Sequence, residues 1–176
     1  MNLQKRILTA ALAVLLSAMA LTSCGAPAAE VPEGMQLASL DGVEYALFVP
    51  ETWTVNKNSG VSGAYVSAYD KSNVSLISYL PTEVLTTEQY WEKCAQSYAA
   101  EFDDYALVES GSATMGGITV PYYVYTATIG GDSYKFLQAI AGNGGMFYNL
   151  TYTALTDSYD LHIEEVMKII EEFTFR

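Results

Sequence analysis

The sequence predicts an α+β fold in which a single antiparallel β-sheet is flanked by helices. The stretch 104–155 is rich in Tyr, Val, Ile, Thr and Phe, and glycine-bearing breaks at 116–117, 130–131 and 142–145 divide it into four strand-like runs. This pattern is typical of an antiparallel meander with tight turns. Segments with helical periodicity precede and follow the meander in the chain, and they are expected to cover the sheet.

The N-terminus reads as an export signal. Lys5 and Arg6 form a short positive region, and the 15 residues from 7 to 21 are apolar. A run of this length suits a signal peptide better than a membrane span, which needs about 20 residues. Leu21-Thr22-Ser23-Cys24 resembles the bacterial lipobox. This resemblance implies transfer of a diacylglyceryl group to Cys24 and cleavage before it.

The predicted anchor sets the domain organisation. We expect a lipoprotein signal peptide at 1–23, a flexible tether rich in Ala, Pro, Gly and Glu at 24–37, and a single domain at 38–176. The protein is then an extracytoplasmic lipoprotein that is attached to the membrane through the lipid on Cys24. It lies on the cell surface, or faces the periplasm if the cell has two membranes. An ordinary secretory signal and an uncleaved anchor are the alternatives.

The charge balance argues against nucleic acid as a partner. The chain has 20 acidic and 8 basic side chains, which gives a net charge of −12. Loss of residues 1–23 removes Lys5 and Arg6, so the mature chain has 6 basic against 20 acidic side chains, or −14. Such a charge repels phosphate backbones and anionic lipid headgroups. It is also sufficient to explain solubility outside the cell.

The first half of the predicted domain reads as short strands. Residues 41–49 alternate between two faces and predict a first strand, and 53–55 predict a second, short strand. Two further strands are predicted at 61–69 and 74–80. The turn residues at 70–73 join these two strands and favour a hairpin.

A helix is predicted between this hairpin and the meander. Pro81 ends the preceding strand, and Thr86 is followed three residues later by Gln89, which is the pattern of a capping box. We expect the helix to run to about Phe102. Its apolar face contains Tyr90, Trp91, Cys94, Ala95, Tyr98 and Phe102.

The last strand of the meander and a terminal helix complete the domain. Within 146–155, the even-numbered residues are expected to face a packed layer. Thr156 and Asp157 are predicted to cap a helix that runs to about Glu172. The apolar stripe of this helix contains Tyr159, Ile163, Val166, Met167, Ile170 and Phe173.

Two segments resemble the PsbP-like domains, also called Mog1/PsbP-fold domains. Residues 47–55 (LFVPETWTV) resemble the opening of these domains, in which a strand with an aromatic residue precedes a P-x-x-W motif. Residues 166–175 (VMKIIEEFTF) resemble their terminal helix and its F-x-F ending. The resemblance covers about residues 38–175. It implies an α/β/α sandwich around the antiparallel sheet and a function that is mostly non-enzymatic in this family.

The residues that most often carry catalysis form no recognisable motif in the sequence. Cys94 falls on the apolar stripe of a helix in an acidic protein, so we expect it to pack rather than to act as a nucleophile. His162, the one histidine, is expected to be a solvated helix residue. The glycines at 142–145 lack the lysine of a phosphate-binding loop. No metal, no other cofactor and no enzymatic activity are predicted.

The aromatic residues of the meander are the candidate binding surface. They are Tyr122, Tyr123, Tyr125, Tyr134 and Phe136, and they lie on adjacent predicted strands. Consecutive Tyr122 and Tyr123 must point to opposite faces of the sheet, so at least one of them is expected to line a surface or groove. Aromatic rings with hydroxyl groups suit the recognition of proteins or glycans. Packing of these rings beneath the helices is the alternative.

Three functional hypotheses follow from these observations. The first is a non-enzymatic, tethered domain that binds a protein of the cell envelope or supports an envelope complex. The second is a lipoprotein that binds a small ligand or a glycan in a Tyr-lined cleft between the sheet and a helix. The third is a hydrolase with dispersed carboxylates, which requires two converging acids in a cleft.

Overall fold

The structure is a computed structural model that describes residues 30–56 and 60–176. The predicted signal peptide, most of the predicted tether and Cys24 lie outside the described residues. The strands are β1 (Met35–Leu37), β2 (Tyr45–Ala46), β3 (Phe48–Pro50), β4 (Thr54–Val55), β5 (Ser62–Tyr65), β6 (Asn73–Tyr79), β7 (Asp103–Met115), β8 (Ile118–Ile129), β9 (Asp132–Asn143), β10 (Met146–Leu155) and β11 (Thr174–Phe175). The helices are α1 (Thr87–Glu101) and α2 (Tyr159–Glu171).

A seven-stranded antiparallel sheet forms the centre of the molecule. Its strand order is β4-β5-β6-β10-β9-β8-β7. The predicted meander is confirmed, because β7 to β10 pair in sequence order. The predicted hairpin is also confirmed, because β5 pairs with β6. Between β7 and β8, Gly116 and Gly117 have φ angles of +61° and +77°, which L-residues with a Cβ rarely adopt.

The prediction of a single sheet is wrong, because the structure contains two further small sheets. β1 pairs with β3, and β11 pairs with β2. The segment 41–49, predicted as one alternating strand, is divided between β2 and β3, and its residues from Tyr45 to Val49 are all buried. Alternation fails here because both sides of the segment face protein. β1 also falls within the predicted tether, so the folded domain begins before residue 38.

Each face of the main sheet has its own core. One core contains Val120, Leu137 and Leu150 and packs against α2 and the two small sheets. The other contains Tyr125, Phe136 and Ile140 and packs against α1. The alternation predicted for β10 is confirmed, since four of the five even-numbered residues are buried in the α2 core. These four residues are Tyr148, Leu150, Tyr152 and Ala154.

The two helices begin in different ways. The predicted capping box of α1 is confirmed: Gln89 donates its backbone N–H to Thr86 Oγ1 at 3.2 Å, and Thr86 N–H donates to Gln89 Oε1 at 2.9 Å. The cap predicted for α2 is wrong. Its N-cap is Ser158, whose side chain makes no capping bond. Thr156 Oγ1 instead donates to the carbonyl oxygen of Ser133 at 3.1 Å, which ties the end of β10 to the start of β9.

Candidate functional site

The five predicted aromatic residues lie on both faces of the sheet. Tyr123, Tyr125, Tyr134 and Phe136 belong to the α1 side. Tyr122 lies on the α2 side, and its hydroxyl donates to Glu109 Oε1 at 3.0 Å. Tyr125 and Phe136 are 3% and 6% exposed and stack at 4.8 Å. These two residues are therefore core residues, whereas the other three are half-buried.

The α1 core is an aromatic layer that contains the buried amide of Gln138. Trp91 of α1 stacks on Tyr123 with a centroid distance of 4.0 Å and an interplanar angle of 3°. Gln138 is fully buried, and its Oε1 accepts hydrogen bonds from the hydroxyls of Tyr98 at 3.0 Å and Tyr125 at 3.3 Å. Gln138 is not among the residues that the sequence singled out. A single amide within an apolar strand was the available signal, because such a group must find partners when it is buried.

A cleft opens at the boundary between α1 and the sheet. It has a volume of about 290 Å³, and its lining includes Tyr79, Leu85, Tyr90, Lys93, Cys94 and Tyr98. We call it the Tyr79 cleft. It is a Tyr-lined cleft between the sheet and a helix, as the second functional hypothesis requires. However, the tyrosines that line it are not the five that the sequence singled out.

The rings of the Tyr79 cleft are held by stacking. Tyr79 stacks on Tyr90 with a centroid distance of 5.9 Å, and Tyr90 stacks on Phe147 at 4.5 Å. Burial raises the pKa of the Tyr90 hydroxyl above its ordinary value. The rim has one ion pair, between exposed Lys93 and Glu83. The cleft therefore presents aromatic faces and neutral hydroxyls beside one pair of opposite charges.

Large apolar side chains are exposed at the end of β6 and in the loop that follows it. They are Ile77 (55% exposed), Tyr79 (44%), Leu80 (67%) and Val84, which is fully exposed. We call these four residues the β6 patch. Tyr79 belongs to both the patch and the cleft, so the two features meet at this residue. The sequence predicts a strand at 74–80 that ends at Pro81, but it does not reveal the patch.

Cys94 lies in the wall of the cleft. Burial raises the pKa of its thiol, although hydrogen bonds with Tyr90, Tyr98 and Gln138 act in the opposite direction. A thiol with a raised pKa is largely protonated at neutral pH and is a poor nucleophile. Cys94 and His162 belong to α1 and α2, which cover opposite faces of the sheet. They do not form a Cys/His pair.

The prediction of a solvated His162 is wrong. Its side chain is 16% exposed, Nε2 lies 2.9 Å from Asp70 Oδ2, and Nδ1 lies 3.0 Å from Glu165 Oε2. Trp53 Nε1 donates to the same Glu165 oxygen at 3.3 Å. Burial lowers the pKa of His162, but the two carboxylates outweigh it and the pKa is raised. The cluster joins three segments of chain that are distant in sequence, which sequence periodicity cannot reveal.

Within residues 30–56 and 60–176, no group of three or more His, Cys, Asp or Glu side chains is arranged to hold a metal ion. In the same part of the chain, neither helix has the length and apolar character required to cross a membrane.

The structure resembles several solved structures, although neither protein-family models nor curated proteins match the sequence. Cyanobacterial PsbP (CyanoP) from Synechocystis has a TM-score of 0.57 at 15% identity, covering 87% of this chain and 99% of its own. The Ran-binding protein Mog1p from Saccharomyces cerevisiae has a TM-score of 0.56 at 8% identity, and the match covers 80% of this chain and 95% of Mog1p. LpqN, involved in cell envelope biogenesis of Mycobacterium tuberculosis, has a TM-score of 0.52 at 15% identity, and the match covers 80% of this chain and 82% of LpqN.

These likenesses concern the fold, since the identities are too low to transfer an activity. They extend over most of this chain and most of each of the three neighbours. The chain therefore has a PsbP/Mog1-like fold.

Proposed function

We propose that this protein is a non-enzymatic binding module, tethered outside the cytoplasmic membrane by a lipid on Cys24, that binds a partner protein of the cell envelope. The observation that carries the proposal is the β6 patch. Several large apolar side chains exposed within one short stretch of chain are typical of surfaces that become buried in complexes. Tyr79 lies within the patch, and tyrosine is enriched among the residues that dominate binding energy.

The position of the patch follows from the way α1 covers the sheet. α1 packs against β7 and β9, whereas Ile77 and Tyr79 at the end of β6 are exposed. The loop from β6 to α1 then adds Leu80 and Val84. An apolar surface at the margin of a helix-covered sheet can receive an apolar surface of another protein and complete the layer.

Stacking and capping support this surface from below. The ring of Tyr79 stacks on that of Tyr90, which in turn stacks on the buried ring of Phe147. The capping box at Thr86 fixes the start of α1 directly after the loop that holds Leu80 and Val84. A surface whose side chains are already ordered loses less conformational entropy on binding. LpqN, one of the fold neighbours, is described as involved in cell envelope biogenesis, and a binding role in an envelope is consistent with that description.

Crosslinking in cells followed by mass spectrometry tests this proposal. The lipidated, tagged full chain is compared with Leu80→Asp/Val84→Asp, which places two charges in the β6 patch. A matched control, Leu155→Asp/Leu161→Asp, places two charges on other exposed leucines. We expect one envelope protein to be captured by the wild type and the control but not by the patch variant. Equal capture by both variants, or capture of no envelope protein by the wild type, would contradict the proposal.

The Tyr79 cleft favours a second candidate, a small ligand or glycan whose ring stacks on tyrosine. Ser97 lines the cleft, whereas Gln96 is exposed on α1 and is not part of the lining. We therefore compare Ser97→Trp, which fills the cleft, with Gln96→Trp as the control. A library of soluble saccharides and aromatic small molecules is screened by thermal shift. This candidate predicts a compound that stabilises the wild type and the control but not Ser97→Trp, and it is rejected if no compound does so.

A further inference from the structure

Among the described residues, the outer edge of β7 is the longest unpaired strand edge of the main sheet. The sheet ends at β4, with two residues, and at β7, with 13. Register shifts between Asp103 and Ala106 and between Leu107 and Glu109 interrupt the first part of β7. Such bulges bend an edge strand and hinder its pairing with another strand. The shifts therefore protect only the first half of this edge.

The second half of β7 has no such register shift. Residues 109–115 pair with residues 124–118 of β8 in one unbroken register. This half contains no proline and no lysine, and all of its side chains except Ala113 and Met115 are exposed. Among the described residues, no strand or loop other than β8 shares a backbone hydrogen bond with 109–115. A regular row of backbone donors and acceptors is therefore open to another chain.

The charged side chains on β7 and β8 are all acidic. Residues 94–134 contain five acidic side chains and no lysine, arginine or histidine. Three of the five, Asp103, Asp104 and Glu109, lie on β7 and are exposed. β8, the neighbouring strand, contains no charged residue. A second copy of the chain would add its own acidic side chains to those of the first, so the charges along the paired edges would repel each other. A basic segment would be attracted instead.

We propose that residues 109–115 of β7 bind an extended basic segment of a partner protein by strand addition. The backbone of β7 would supply the hydrogen bonds, and Glu109 would supply the preference for lysine or arginine within the paired segment. Asp103 and Asp104 lie outside that segment and would add only longer-range attraction. This site differs from the β6 patch, because β10, β9 and β8 lie between β6 and β7. The inference does not depend on the function proposed above.

Binding of a synthetic peptide to the full chain tests this proposal. The probe is a fluorescent peptide of about nine residues, a strand length common in proteins, that alternates lysine with valine. One control peptide has the lysines replaced by glutamates, and another is N-methylated at alternate amides so that it cannot pair along one edge. Anisotropy gives the affinity, and hydrogen–deuterium exchange locates the amides that become protected.

The matched protein variants are Ser110→Lys/Ser112→Lys on β7 and Gln96→Lys/Ala100→Lys on the exposed side of α1. Both add two positive charges, but only the first adds them at the proposed site. We expect about a tenfold loss of affinity in the β7 variant and a change of less than about twofold in the α1 variant. Protection should appear within 109–115. Leu80→Asp/Val84→Asp should bind the peptide as the wild type does, whatever that variant does to envelope-protein capture.

Several results would overturn the proposal. They are failure of the wild type to bind the lysine peptide, equal binding of the N-methylated peptide, equal losses in both lysine variants, and protection outside 109–115. Sedimentation of the full chain without peptide provides one more outcome. If the wild type self-associates and Ser110→Lys/Ser112→Lys is monomeric, the occupant of the edge is a second copy, and the basic-segment proposal fails.

Discussion

At the scale of single residues, His162 connects parts of the chain that are distant in sequence. Its ring joins Asp70 in the β5–β6 connection to α2, and Trp53 packs edge-on against it at 5.9 Å. Both ring nitrogens face carboxylate oxygens, so the protonated ring can donate two hydrogen bonds, whereas a neutral ring can donate only one. The folded state therefore favours the charged form of His162.

This preference predicts how stability depends on pH. The folded-state pKa of His162 is raised, so its contribution is complete below the ordinary histidine pKa and is lost as pH rises through the raised value. The pKa of Asp70 is lowered, because hydrogen bonds from Ser72 and His162 outweigh the effect of burial. Its contribution is present above the ordinary aspartate pKa and is lost as pH falls. The pair therefore contributes most in the mildly acidic range.

Urea unfolding at a series of pH values measures this dependence. We expect the stability difference between the wild type and His162→Gln to shrink as pH rises from the mildly acidic range to the alkaline range. Asp70→Asn should remove most of the same dependence, since it removes one of the two carboxylates. A difference that stays constant across this range would mean that the cluster does not favour the charged histidine.

Cys94 gives a prediction about reactivity. Because burial raises the pKa of its thiol, the folded protein should react slowly with iodoacetamide at neutral pH. In a Cys24→Ala chain, Cys94 is the sole cysteine, so mass spectrometry follows it alone. We expect the rate to be lower than that of the urea-unfolded chain by about tenfold or more. Equal rates in the folded and the unfolded chain would show that the Cys94 thiol is not buried and that its pKa is not raised.

At the scale of elements, the turn between β7 and β8 gives a paired test of backbone geometry. Both Gly116 and Gly117 have positive φ angles, but a Cβ on Gly116 would collide with the ring of Phe175, whereas a Cβ on Gly117 meets no atom within 4 Å. Phe175 cannot move freely, because it packs against Tyr148 and Phe173 at 5.0 Å. The two positions therefore share the φ strain but not the collision.

Chemical denaturation of two alanine variants separates these effects. Gly117→Ala should cost about 1 kcal/mol, which is typical of a left-handed position that gains a Cβ. Gly116→Ala should cost about 3 kcal/mol, because it adds displacement of a packed ring to the same strain. If the two costs were equal, the contact between Gly116 and Phe175 would contribute nothing to stability.

The elements that sequence predicts well here are those specified by local signals. The meander has glycine turns at each reversal, and α1 has both halves of its capping box within four residues. The division of 41–49 into β2 and β3 has no comparable signal. It depends on the pairing of β2 with β11, which lies at the other end of the domain. The wrong prediction of a cap at Thr156 has the same origin, because the Thr156 hydroxyl donates its hydrogen bond to the carbonyl oxygen of Ser133 on another strand.

At the scale of the whole molecule, the placement of α1 determines what is open for binding. The sequence indicated that tyrosines would line a binding surface, and strand alternation correctly placed Tyr122 and Tyr123 on opposite faces of the sheet. It could not show that α1 covers Tyr125 while leaving Tyr79 exposed, because that depends on the position of the helix over the sheet. The Tyr79 cleft is formed by β6, the loop after it and α1. Its residues share no motif, and only the tertiary fold brings them together.

The distribution of charge over the whole chain makes the predicted lipid anchor testable. A mature chain of net charge −14 by composition (6 basic against 20 acidic side chains) is repelled by anionic lipids, so electrostatic attraction cannot retain it at a membrane. The diacylglyceryl group implied for Cys24 has two acyl chains, which is what stable anchoring requires. Attachment should therefore depend on Cys24 and should not depend on salt.

Fractionation of cells that express the full chain measures both properties. The wild type should stay in the membrane fraction after a wash at about 1 M NaCl, which screens charges beyond a few ångströms. Cys24→Ala should lose that membrane association, whereas Cys94→Ala should remain with the membrane. Both variants lose one thiol, but only the first loses the predicted attachment point. Retention of Cys24→Ala would contradict lipid anchoring, and release of the wild type by salt would point to attachment through a charged partner.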